Sequence, residues 1–369
     1  MRALRWTMIL GLAAGCTTPI GMVGDDDVGG HGSGGTGGDD PGSGGTGGSD
    51  TGSSGGGQDD PARLFSTSSP WNVPATGGVD PGSVAMTSSG MPGSLADSFL
   101  QAGRNLDIAG TDDYPDYGIP VFEAAATTPR VAVRDTNGWW GGGFAAVPIP
   151  ADAVPARGTD HHLVILDRGG HTLWEFWDME KAADGQWTAG AGAQFDSAGP
   201  GYRNQPNQIG ARAYGGAAAA GLIRRDEVVR GEVRHALAMA YNWTRGKTYA
   251  RGLGVDGVTQ NIASHNDNVT DANRNTVANI PEGARLRLKA AVDVAARCGA
   301  NAACRTIGTA LKTYGAFMVD TAGVTTLVAE VLTGRPQNWA GVLRSTDVSV
   351  FGGNDFEVLA MPAVLTQAP

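Results

Sequence analysis

Apolar and polar positions alternate through residues 160–178, DHHLVILDRGGHTLWEFWD, on both sides of Gly169 and Gly170. A period of two sends successive side chains to opposite faces of a strand, so this stretch predicts a hairpin. With Gly169 and Gly170 as a two-residue primed turn, which glycine reaches through positive φ, the register follows. Arg168 faces His171, Ile165 faces Trp174, Val164 faces Glu175, Leu163 faces Phe176 and His162 faces Trp177. Leu163, Ile165, Trp174 and Phe176 then form a core face, and His162, Val164, Glu175 and Trp177 form the opposite one.

Comparable strand-like runs occur at 130–135, 161–167, 172–178, 232–241, 284–289, 315–320 and 356–360, most of them alternating or β-branched and lying between Gly, Pro, Asn or Asp. A helix is predicted over 301–314, where Ile307, Ala310 and Leu311 share one side and Gly315 follows as a stop. A second short helix is predicted near 224–230. These elements predict an all-β domain, sandwich or jelly-roll-like, with one or two accessory helices.

Composition supports this class: 17% charged residues, 58 Gly and nine Trp suit loop-rich β structure. Much of the net charge of -10 sits in residues 17–60, which carry eight Asp and no Lys, Arg or Glu. No basic run interleaved with aromatics occurs, which excludes the footprint of a nucleic-acid binder. The segment 17–60 repeats GSGGTGG at 32–38 and 42–48. Such a sequence cannot bury apolar surface, and it predicts a disordered tether spanning about 35–40 Å on average. Residues 61–369 read as one domain.

The chain opens with MRALRWTMILGLAAGC: Arg2 and Arg5, a short apolar core, then small residues before Cys16. This is the pattern of an export signal, too short to remain as a spanning helix. It resembles a bacterial lipoprotein signal, although Ala13 stands where such signals favour Leu. The resemblance implies acylation at Cys16 and a protein exported and lipid-anchored to the cell envelope, at the outer membrane. Cys298 and Cys304 remain as an even pair, and in an exported chain they predict a disulfide. Two cysteines alone make a poor zinc site.

On the second face of the hairpin, an imidazole, a carboxylate and an indole suit carbohydrate. An indole stacks on the C–H face of a sugar, a carboxylate accepts hydroxyl hydrogen bonds or exchanges protons, and His162 has the chemistry of a base near neutral pH. The plain alternative is a solvated or covered face on which Glu175 and His162 merely pair. His235 is a further catalytic candidate or a satisfied core histidine. Tyr314 and Asp320 bracket the 315–320 run, as catalytic groups or as a helix closure and a turn acceptor. Arg285 and Arg287 share one strand face, either to clamp a sugar carboxylate or as surface charges. Trp139 and Trp140, in NGWWGGG, offer a sugar subsite or pack beneath their loop.

Further stretches are SPWNVP (69–74), VPIP (147–150), AAAAGLIRRDEV (217–228), VRHALAM (233–239), IPEGARLRLK (280–289) and ALKTYGAFMVDT (310–321). With the hairpin they resemble a family of exported or lipid-anchored actinobacterial and myxobacterial proteins over about residues 69–325. That resemblance implies a β-sandwich and no settled activity. Arg212 departs from the small or acidic residue of the family pattern, and the segment with Cys298 and Cys304 has the character of an insertion.

No G-x-S-x-G elbow, H-E-x-x-H, P-loop or dinucleotide fingerprint is present. The leading expectation is an envelope-tethered enzyme that cleaves a polysaccharide in a groove on one sheet face. As a glycoside hydrolase it would draw two carboxylates from Glu175, Asp160, Asp178 and Asp320, about 5–5.5 Å apart for retention or about 6.5–9.5 Å for inversion. As a lyase it would use His162, His235 or Tyr314 as base, with Arg285 neutralising a uronate. Trp177, Trp139, Trp140, Arg285 and Asp160 form the expected substrate-binding set. The alternatives are a noncatalytic glycan-binding surface lipoprotein and a purely structural surface protein. The expected partners are a polysaccharide and, through the lipid anchor only, a membrane. A monomer without cofactor is expected, with structural Ca²⁺ at Asp112 and Asp113 left open.

Overall fold

The alternation of 160–178 resolves into strands Leu163–Asp167 and Thr172–Trp177, paired antiparallel from Leu163 opposite Phe176 to Asp167 opposite Thr172. The register is therefore the one that the apolar pattern predicts; the connection is not. Four residues, 168–171, make the turn, and neither Gly169 nor Gly170 has positive φ; His171 does, at 49°. His171 N–H donates to Arg168 O (3.2 Å), and Gly170 N–H donates to the Asp167 carboxylate (3.0 Å). Asp167 thus stabilises the longer loop, a common hairpin connection.

The computed structural model describes residues 63–203, 209–253, 260–267 and 274–366, all within the compact unit Asp59–Pro369. The signal segment, Cys16 and the 17–60 tether lie outside the described residues. The fold is largely β, in several sheets. A six-stranded sheet runs in the order Asp107–Ala109, Thr326–Val328, Leu237–Tyr241, Ala316–Thr321, Arg285–Leu288, Phe356–Val358. The hairpin occupies the middle of a four-stranded sheet, flanked by Val121–Glu123 and Ala191–Asp196. A second four-stranded sheet contains Arg130–Asp135, and a three-stranded sheet contains Thr248–Leu253.

Among the described residues four strand pairs are parallel, including Leu237–Tyr241 with Ala316–Thr321. The sheets are therefore mixed, which departs from the antiparallel pairing of a jelly roll. Parallel neighbours require long crossovers, and the one between these two strands carries helices Val294–Cys298 and Ala302–Thr313. Five α-helices occur among the described residues instead of one or two; Ser83–Thr87, Leu95–Ala102 and Arg225–Arg230 are the others. Leu95–Ala102 has legible ends, with the Ser94 side chain accepting from Asp97 N–H and Gly103 closing at φ 65°. The Cys298–Cys304 disulfide is formed and joins the last two helices.

One apolar cluster combines Val164, Leu166, Leu173, Ala193 and Phe195 of the hairpin sheet with Ala238, Phe317, Val319 and Val328 of the six-stranded sheet. Between them lies the Ala-rich segment, with Ala217, Ala218, Ala219 and Ala220 buried. Small side chains let backbone pass through a packed core, where larger ones would force the layers apart. At Gly221, φ 72°, a Cβ would stand 2.4 Å from the Trp71 ring and 2.5 Å from Ala238 N. The opposite face of the hairpin sheet packs Leu163, Ile165 and Phe176 against Val133, Val147 and Trp187.

Candidate functional site

The Ala-rich segment settles what the second hairpin face can do. Glu175 is fully buried, and its carboxylate accepts from Ala218 N–H (2.6 Å) and Ala219 N–H (3.0 Å). Burial pushes its pKa up to about 7, against the pull of those two donors. His162 is 3% exposed, with Nδ1 3.2 Å from Phe176 O. Burial, reinforced by Arg212, holds its pKa down at about 4. The expected groove over His162 and Glu175 is thus replaced by packed backbone.

Polar chemistry gathers at the edge of this covered face. Asp320 is next to last in the strand Ala316–Thr321, where a register shift places Met318 opposite Met239 and Asp320 opposite Ala240. Such a bulge re-aims the side chain that follows it. Asp320 Oδ2 lies 3.3 Å from Arg212 Nε, and the two side chains are 22% and 4% exposed. Thr321 N–H donates to Asp267 (2.8 Å), and Asp267 N–H donates to Glu282 (3.5 Å). Asp160 bears electrostatically on both His162 and Asp320. Burial, then Asp267, holds the Asp320 carboxyl well above the usual carboxylate range. Burial, then Asp267 and Asp320, does the same for Glu282, which is fully buried and whose Oε2 has no hydrogen-bond partner among the described residues.

Asp160, His162 and Asp320 are therefore brought together, joined by Arg212, Asp267 and Glu282, which sequence reasoning did not select. Asp267 and Glu282 sit in the turn-like stretches SHND and PEG, where nothing local distinguishes a functional acid from a turn residue. Arg212 had a signal only through the expected family resemblance, whose pattern it departs from.

An aromatic pair is joined to the cluster through the backbone. Trp139 is 56% exposed, and its ring lies nearly parallel to that of Trp177, at 10° with centroids 6.3 Å apart. Asp135 organises the loop: its two carboxylate oxygens accept from the N–H groups of Asn137, Gly138, Trp140 and Gly142 (2.8–3.3 Å). Gly190 makes room for Trp177, whose ring a Cβ there would meet at 2.8 Å. Asp178, the residue after Trp177, donates its N–H to Asp160 O (2.8 Å), which ties the surface to the acids. Trp140 does not join this surface; it packs against Phe144 and Phe176 over Gly192.

The remaining candidates lie in other settings. His235 Nε2 is 3.1 Å from Glu227, and its Nδ1 is 2.8 Å from Ala236 O. Burial opposes its charge, but Glu227 prevails and raises its pKa. This pair lines a small cleft with Trp71, Asn72 and Arg224. Tyr314 closes the helix Ala302–Thr313, and its carbonyl accepts from Arg285. Arg285, 1% exposed, also donates to Val73 O (2.7 Å), and burial lowers its pKa to about 9. Arg287 donates to Glu357 (2.8 Å) and Ala75 O. Both guanidiniums therefore fasten the SPWNVP stretch and its neighbour instead of clamping a sugar.

Asp112 and Asp113, considered for Ca²⁺, accept hydrogen bonds from Trp339 N–H and from Thr111 and Ser345. Among the described residues, His161, Asp178 and Glu180 bring three ligand atoms within 4.8 Å of one another. Their side chains are 35–66% exposed, so water competes for any ion held there. Among the described residues, no helix is long and apolar enough to cross a membrane. No family model, curated protein or solved structure matches this chain.

Proposed function

We propose that this protein is an envelope-tethered glycoside hydrolase that works at the acidic edge of the hairpin sheet. The reading rests on one observation: Asp320, a carboxyl held above the usual carboxylate range by its surroundings yet about a fifth open to solvent, shares a charge cluster with Asp267 and Asp160, and the residue after Trp177 hydrogen-bonds to Asp160 O. A carboxyl with a raised proton affinity beside a further carboxyl group supplies the acid that glycosidic cleavage requires. Asp320 donates its proton to the glycosidic oxygen as the C–O bond breaks. Asp267 takes a proton from the water whose oxygen bonds to the anomeric carbon, so one water is added. Trp139 and Trp177 supply a stacking face for an adjoining sugar.

The lyase form has less support, because Arg285 serves other partners, His162 is buried and His235 pairs with Glu227. The facing sheets support a sandwich-like description of the domain. Export, acylation at Cys16 and action as a monomer without cofactor belong to the same proposal.

The full chain, incubated with neutral and acidic polysaccharides, should generate reducing ends without new ultraviolet-absorbing double bonds. Asp320→Asn and Asp267→Asn should each slow cleavage by about 10²–10⁴-fold with unchanged circular dichroism. Full activity in both variants would remove the assignment. Binding without cleavage would leave the noncatalytic glycan-binding reading, which the Trp139–Trp177 pair favours.

A further inference from the structure

Arg212 carries a donor that the fold does not use. Its side chain is 4% exposed, its Nε meets Asp320 at 3.3 Å, and its buried Nη1 has no hydrogen-bond partner among the described residues. A buried charged donor without an acceptor costs more than a neutral one, and an unsatisfied group of this kind calls for a specific explanation. The acids around it compensate poorly. Asp320 is held toward its neutral form, and Glu175 is occupied by the N–H groups of Ala218 and Ala219. His162, beside it, is neutral at pH 7. Arg285 and Arg287, the cations first expected to meet a sugar, are committed elsewhere.

We infer that the site selects an acidic glycan, and that a uronate carboxylate supplies the acceptor missing at Arg212 Nη1. This inference rests on the reading of the cluster as a glycan site. A charge-assisted contact of this kind is about twice as strong as a neutral hydrogen bond. Asp320, the more exposed member of its pair with Arg212, shifts to admit the carboxylate and stays within reach of the glycosidic oxygen. Asp160 and Asp267 oppose a second anion in the same cluster. Arg212 therefore decides the sign of the preference: with it the site favours the acid sugar, without it the neutral one.

The test uses the full chain, with oligogalacturonate and the same oligosaccharide after carboxyl reduction as probes, and binding followed by calorimetry. The wild-type protein should bind the uronate at least about tenfold more tightly, a difference of about 1.4 kcal/mol. Arg212→Gln should reverse that order, and Arg212→Lys should restore part of it. Should Arg212→Gln fail to fold, the wild-type comparison and its weakening by salt carry the test alone. Equal or tighter binding of the reduced probe overturns the inference. If the protein hydrolyses neutral glycans and ignores uronates, acid selection falls and the hydrolase reading stands. Arg212-dependent uronate binding without any cleavage leaves selection standing and removes the hydrolase. Binding of neither probe removes both.

Discussion

Glu175 and His162 sit on the same covered face and pull stability in opposite directions with pH. The folded pKa of Glu175, about 7, lies above its ordinary 4.5, so its contribution is full below about pH 4.5 and is lost as pH rises through 7. His162 is lowered from 6.5 to about 4; its contribution is full above about pH 6.5 and is lost as pH falls through 4. Glu175→Gln removes the first effect alone. Urea unfolding should show wild-type stability falling relative to the variant by ~3 kcal/mol between pH 4.5 and 7.5; parallel curves would mean that Glu175 titrates normally. Both residues were legible as a pair sharing a strand face. What they touch was not, because Ala218 and Ala219 are remote in sequence and carry no polar side chain to announce the contact.

Among the elements, the hairpin, the strand Arg130–Asp135 and the helix Ala302–Thr313 follow from local pattern, whereas three-residue strands such as Asp107–Ala109 and Val121–Glu123 do not. Three residues hold too little periodicity, and their partners in the sheet define them. The Asp135 loop depends on Gly190 beneath Trp177. Gly190→Ala should displace that ring and weaken glycan binding about tenfold or more while costing ~1–3 kcal/mol of stability, measured by titration and urea unfolding. The Cys298–Cys304 bridge closes a short loop between two helices. Its reduction should lower stability by about 2–3 kcal/mol, seen as a shift in the urea midpoint, with glycan binding unchanged because the bridge belongs to the helices packed on the other side of the six-stranded sheet.

At the scale of the whole molecule, the proposed anchor and tether would hold the domain near a membrane while letting it reach a polymer. Cys16→Ser should move the protein from the membrane fraction to the soluble one, and a variant that stays membrane-bound would end the lipoprotein reading. Sequence by itself determined the strand register of 160–178, its Leu163, Ile165 and Phe176 core face, the predominance of β structure and the cysteine pairing. Each of these depends on spacing or composition that short-range sterics and burial translate directly. Tertiary structure alone decided that the other face would be sealed and that Arg212, Asp267, Glu282 and Asp320 would meet at its edge. Solvent access and the proximity of charges depend on which distant segments pack together, and for Glu175 that segment begins more than thirty residues further along the chain.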